Sequence, residues 1–123
     1  MYEAYQRSMP CVTFSTVSHN FIDLSGADLS DLSLNDADLH GTNFKRSKMY
    51  LSNLSGATAY DANFSYTDLT RANLTKADLR GVDLSYADLT SAHLDGADIS
   101  GANLTGATLT GVDLSRTKGQ PIQ

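Results

Sequence analysis

Tryptophan is absent from this 123-residue chain, there is one Cys and two Pro, and nine basic residues are outnumbered by fourteen acidic ones. Each shortage excludes something. Cys11 has no partner for an internal disulfide, so the fold is not a disulfide scaffold, and a reducing compartment is consistent with it. A net charge of −5 argues against nucleic acid as a direct partner, because phosphate binding relies on clustered Lys and Arg. Apolar residues never run together for more than a few positions, so no segment approaches the roughly 20 needed for a membrane-spanning helix. The opening stretch MYEAYQRSMP carries Glu3 and Arg7 without a continuous apolar run and does not read as a secretory signal. A cytoplasmic protein with no membrane partner is expected.

What the sequence has is a period of five. Residues 86–111, YADLTSAHLDGADISGANLTGATLTG, repeat Ala87-Asp88-Leu89, Ala92-His93-Leu94, Ala97-Asp98-Ile99, Ala102-Asn103-Leu104 and Ala107-Thr108-Leu109. Counting centres every five residues from Leu24 to Leu114 gives 19 pentads, of which fourteen are centred on Leu and the rest on Phe44, Met49, Ala59, Phe64 and Ile99. Two residues before the centre stands Ala in eleven of the 19, otherwise Ile22, Leu32, Val82, Val112 or a small polar residue. In a helix, steps of five would scatter the centres around the axis and leave no apolar stripe. In one continuous strand, an odd step would send alternate Leu side chains to opposite faces. The pattern is satisfied by a short extended piece, with its small residue and its Leu facing the same side, followed by a bend. The chain then coils around its own core as a β-solenoid, each repeat contacting its neighbours. The inward Ala follows from close packing: a narrow coil has no room for a second large side chain per pentad.

These residues resemble the pentapeptide-repeat family, whose consensus is close to Ala-(Asp/Asn)-Leu-X-X. The match runs from residue 22 to 116 without a register break, and a looser version reaches back to Val12-Thr13-Phe14. The resemblance implies an all-β fold: a right-handed, four-sided parallel β-helix with four pentads to a coil and residues 20 apart directly above one another. About five coils at ~4.8 Å each would make a rod on the order of 25 Å long. Phe44 and Phe64, 20 apart in sequence, are expected to stack in the core. The expected organisation is a cap over residues 1–11, where Tyr2, Tyr5 and Met9 have helix-like spacing before Pro10, a β-helix over 12–116, and a polar tail over 117–123.

The C-terminal end looks uncapped, leaving Leu109, Val112 and Leu114 at its rim as a candidate dimer end. Relatives with quinolone-protecting activity dimerise through that end. This chain lacks their C-terminal helix and aromatic contacts, so a homodimer and a monomer with a loosely covered end both stay open. On the sides of the rod, the face centred on Leu39, Ala59, Leu79 and Ile99 gathers Asp38, Asp61, Asp78 and Asp98 against Arg80 alone. An individual Asp or Asn beside a bend is expected to hold its corner by accepting backbone N–H bonds, which leaves only the collective acidic field as a functional candidate. Tyr66 and Tyr86, with Arg46 in the same column, are expected outside as an exposed stack that serves either a partner or the stack itself. Lys45, Arg46 and Lys48 within FKRSKMY are expected to counter neighbouring Asp charges.

Nothing points to catalysis. His19, His40 and His93 have no metal-ligand spacing, and Cys11 with His19 reads as structural. GADISGANLTG lacks the lysine and the strand-to-helix context of a phosphate loop. A closely packed coil offers no cleft for a small molecule. No enzyme activity, cofactor or metal is expected. The first function expected is a non-enzymatic protein-binding scaffold or adaptor using the flat faces of a rigid rod. The alternative is an acidic DNA mimic that binds DNA gyrase or topoisomerase IV, as some relatives do in quinolone or toxin protection. Against it stand the chain's short length and the absence of any insertion between residues 22 and 116.

Overall fold

The computed structural model describes residues 22–122. The expected cap over residues 1–11 and the loose repeats over 12–21, with Cys11 and His19, lie outside the described residues. The rest is a right-handed quadrilateral β-helix, and no helix occurs among the described residues. Four columns of parallel bridges define its faces. Face 1 pairs Asp23, Asn43, Asn63, Asp83 and Asn103 in turn; face 2 pairs Asp28, Lys48, Asp68, Asp88 and Thr108. Face 3 pairs Ser33, Asn53, Asn73 and His93; face 4 pairs Asp38, Thr58, Asp78, Asp98 and Lys118. Within each column the partners are 20 residues apart, except in the last pair of face 1, Asn103 and Ile122, so one coil is four pentads.

Backbone hydrogen bonds join each coil to the next on every face. Leu24 N–H donates to the Asn43 carbonyl at 2.7 Å, and Asn43 N–H donates back to Ile22 at 2.8 Å; the same exchange repeats up the rod. The corner closes with a turn in which Ala27 N–H reaches the Leu24 carbonyl at 3.1 Å. The third residue of that turn has positive φ, the signature of a type II turn. Every fifth position from Gly26 to Gly111 takes this conformation, and Gly fills eight of those positions. Ten are filled by other residues, among them Arg46, Leu51, Tyr66, Arg71 and Tyr86 at φ of 59–62°. A side chain there is disfavoured by roughly 1–2 kcal/mol.

The interior is a column of pentad centres with the small residues beside them. Leu29, Leu39, Phe44, Met49, Leu69 and Leu89 are buried completely or nearly so, as are Ala37, Ala57, Ala72, Ala97 and Ala102. Phe44 and Phe64 stack with centroids 4.8 Å apart and planes 10° apart, one strand spacing. Three inward hydroxyls, on Thr42, Ser47 and Ser52, are buried without a hydrogen-bond partner.

Toward the C-terminus, the ladder runs into the tail expected to be merely polar. Lys118 pairs with Asp98, and Ile122 N–H donates to the Ala102 carbonyl at 2.7 Å. Leu104, Leu109, Val112 and Leu114 remain only partly buried. Leu104, Leu109 and Leu114 join Thr105, Pro121 and Ile122 around an open hollow of about 310 Å³, so the rod has an apolar recess at its end although its core is closed.

Candidate functional site

The residue before each centre explains why Asp and Asn recur there. Asp23, Asn53, Asp68, Asn73, Asp83, Asp88 and Asn103 each accept a bond from the backbone N–H two residues on, at 2.9–3.0 Å. This is an Asx turn, and it fixes the entry to the corner. Where that second residue is Ser or Thr, its hydroxyl can add a bond to the same oxygen, as Thr70 does to Asp68 at 2.6 Å and Ser85 to Asp83 at 2.6 Å. The repeated carboxylates are thereby committed to the backbone.

Of the acidic face, Asp38, Asp78 and Asp98 share one ladder, but Thr58 stands between the first two and Lys118 follows the last. Asp61 is at the adjoining corner with φ 60°, its carboxylate packed over Gly81. Arg80 clamps Asp78 with two bonds, Nε to Oδ1 at 2.7 Å and Nη2 to Oδ2 at 2.6 Å. That clamp holds the Asp78 carboxyl below its usual range, against the effect of its partial burial. Hydroxyl and backbone bonds from Ser100 lower Asp98 likewise.

Two ladders border face 1. At the corner from face 4, His40 stacks on Tyr60 with centroids 5.0 Å apart, Arg80 lies 5.5 Å over Tyr60, and His40 Nδ1 is 2.5 Å from the Asp38 carboxylate. This ladder escaped sequence reasoning; the signal was available in the 20-residue spacing of His40, Tyr60 and Arg80. At the corner from face 1 to face 2, Tyr66 stacks on Tyr86 at 5.1 Å and Arg46 lies 4.7 Å over the Tyr66 ring. Lys45 approaches the same ring, its Nζ 6.0 Å from the centroid. The expectation that Lys45, Arg46 and Lys48 counter neighbouring Asp charges is corrected here: among the described residues, none lies within 4.0 Å of a carboxylate, and two of them turn to an aromatic ring instead. The ladder keeps them there because side chains at the corners lean over the coil that follows.

Sorting charge along the axis gives a pattern that sorting by face conceals. Residues 22–41 carry Asp23, Asp28, Asp31, Asp36 and Asp38 without Lys or Arg. Residues 42–81 carry Lys45, Arg46, Lys48, Arg71, Lys76 and Arg80 against Asp61, Asp68 and Asp78, for +3. Residues 82–101 return to acid, with Asp83, Asp88, Asp95 and Asp98 and no Lys or Arg. A basic belt about two coils deep, on the order of 10 Å, therefore lies between two acidic ones.

Among the described residues, no group of three or more His, Cys, Asp or Glu is placed to hold a metal ion, and no helix is long and apolar enough to cross a membrane. The candidate site is the surface that carries the two ladders and the basic belt.

Comparison with known proteins agrees with this geometry. A family model described as pentapeptide repeats (8 copies) matches residues 22–58, 52–90 and 83–118. The structure is similar to that of a pentapeptide repeat protein, Rfr23, from the cyanobacterium Cyanothece 51142, at 25% identity and TM-score 0.82, covering 85% of this chain and 86% of the other. A pentapeptide repeat protein from the Arabidopsis thaliana thylakoid lumen is similar at 26% identity and TM-score 0.78, covering 88% and 77%. One from Nostoc Pcc 7120 is 29% identical with TM-score 0.66, covering 84% and 78%. No curated protein matches the sequence.

Proposed function

This chain belongs to the pentapeptide-repeat family, and on that footing we propose that it is a non-enzymatic scaffold that binds another protein through the sides of its rod. The observation that carries this reading is the ladder of Arg46, Tyr66 and Tyr86. It stands on a closed β-helix whose carboxylates are largely occupied with holding corners. Tyr66 is 46% and Tyr86 54% exposed, although aromatic side chains of this size are favoured in cores and interfaces. Arg and Tyr are also the residue types that dominate binding energy at protein interfaces.

The alternative, mimicry of DNA toward a gyrase-type topoisomerase, requires an acidic surface that continues along the axis, since duplex DNA carries a charge every ~1.7 Å. The basic belt over residues 42–81 interrupts that continuity. Protein binding is therefore the first reading. The partly buried Leu109, Val112 and Leu114 at the open end support a homodimer as a further part of the proposal, because burying that rim would remove apolar surface from water.

The test is affinity capture from the native host with the wild-type chain and with the paired substitution Arg46→Glu and Lys48→Glu. A specific protein retained by the wild type supports the scaffold reading. Failure of the wild type to retain any protein above a bare-resin control contradicts it. A supercoiling assay with DNA gyrase, in the presence and absence of a quinolone, should show no change; altered inhibition or cleavage would restore the mimic.

A further inference from the structure

The partner's chemistry follows from what face 2 and its two edges carry in the basic belt and just beyond it. Five large apolar side chains are exposed among the described residues, and four of them, Tyr50, Leu51, Tyr66 and Tyr86, stand on the edges of face 2. Between and beside them lie Lys45, Arg46, Lys48 and Arg71, none within 4.0 Å of a carboxylate among the described residues. Cations and apolar anchors thus share one surface on a chain whose net charge is −5.

Resting on the scaffold reading, we propose that face 2 between residues 45 and 71 docks a short acidic segment of a partner protein, one that also carries apolar side chains. Three features select this occupant. The cations, none of them in an ion pair among the described residues although Asp28 and Asp68 flank Lys48 on the ladder, complement carboxylates, and the phenols and Leu51 complement apolar groups. The acidic belts over residues 22–41 and 82–101 repel a long polyanion laid along the axis, so the segment follows the basic belt around the rod. The rings are also poor platforms for nucleic-acid bases: one face of Tyr66 is taken by Arg46 and the other by Tyr86, and Tyr86 packs down on Gly106. Single-stranded nucleic acid binds by stacking on open aromatic faces.

The experiment uses a fluorescein-labelled peptide of alternating Asp and Leu, the same peptide with Asn for Asp, and a short oligothymidylate, titrated with the full chain and read by anisotropy. The Asp–Leu peptide should bind, and added salt should weaken it. Arg46→Glu with Lys48→Glu should weaken it at least about tenfold, about 1.4 kcal/mol, and Lys76→Glu, on the far edge of face 3, should leave it unchanged. Lys45→Gln with Lys48→Gln provides a second pair that removes charge while leaving Arg46, Tyr66 and Tyr86 in place, and melting curves check that each variant folds. Absence of peptide binding, equal binding of the Asn–Leu peptide, indifference to both substitution pairs, or tighter binding of oligothymidylate overturns the proposal. Failure here remains distinguishable from failure of the scaffold reading. A host protein captured equally by the wild type and the Arg46→Glu, Lys48→Glu variant leaves the scaffold standing and removes this surface.

Discussion

Tyr86 lies so close over Gly106 that a Cβ added to that glycine would be 2.5 Å from two carbons of the ring. The contact expresses a rule of the coil: a side chain at a positive-φ corner leans over the corner 20 residues later. Asp36 over Gly56 and Asp61 over Gly81 follow it too.

Gly106→Ala should therefore destabilise the rod through both its backbone and the ring it meets. Gly101 has the same φ of +71° but only ordinary contacts, 3.9 Å at the nearest, so Gly101→Ala carries the backbone cost alone. That cost is roughly 1–2 kcal/mol. The difference in urea unfolding midpoint between the two variants should disappear when both are placed in a Tyr86→Ser background; a difference that persists there would mean the ring is not its cause.

The unpartnered hydroxyls in the core should be dispensable. Ser52 Oγ and Thr42 Oγ1 are buried without hydrogen bonds, and an unsatisfied polar group of this kind costs about 1–3 kcal/mol. Ser52→Ala and Thr42→Val each remove the group at little change of volume. Both should raise the midpoint of thermal or urea unfolding; a loss of stability would show that the hydroxyls are satisfied in solution.

Acid should weaken the fold through the corner carboxylates. Arg80 holds Asp78 below its usual value, and hydroxyl and backbone bonds do the same for Asp23, Asp98 and Asp113. A carboxyl lowered in the folded state contributes stability that is fully present above its unfolded value, about 3.9, and is lost as pH falls through that value toward the folded one. Urea midpoints measured between pH 6 and pH 2 should decline over this range, and Arg80→Gln should flatten the decline. A profile that Arg80→Gln leaves unaltered would show that the clamp is not what lowers Asp78.

The period of five made the fold legible because it constrains two side chains per pentad, the inward Ala and Leu, and no helix or flat sheet accommodates both. Phe44 and Phe64, 20 apart, stack as their spacing implied. The Arg46, Tyr66 and Tyr86 column could be read in the same way, since the coil turns sequence separation into vertical neighbours. What sequence reasoning missed were properties of the corners. Positive φ at Tyr66 or Leu51 leaves no local signal in a residue that is not glycine, and so the cost of keeping those side chains was invisible. The net charge points the basic residues of FKRSKMY toward neighbouring Asp, while the coil stacks Tyr66, from the next turn, against Arg46 and Lys45.

A photo-crosslinking amino acid placed at residue 66, and separately at residue 78 on face 4, tests the central claim most directly when the chain is irradiated in its native host. The account predicts a discrete adduct with another protein at position 66 and none at position 78. Adducts at 78 without any at 66, or none at either, would contradict it.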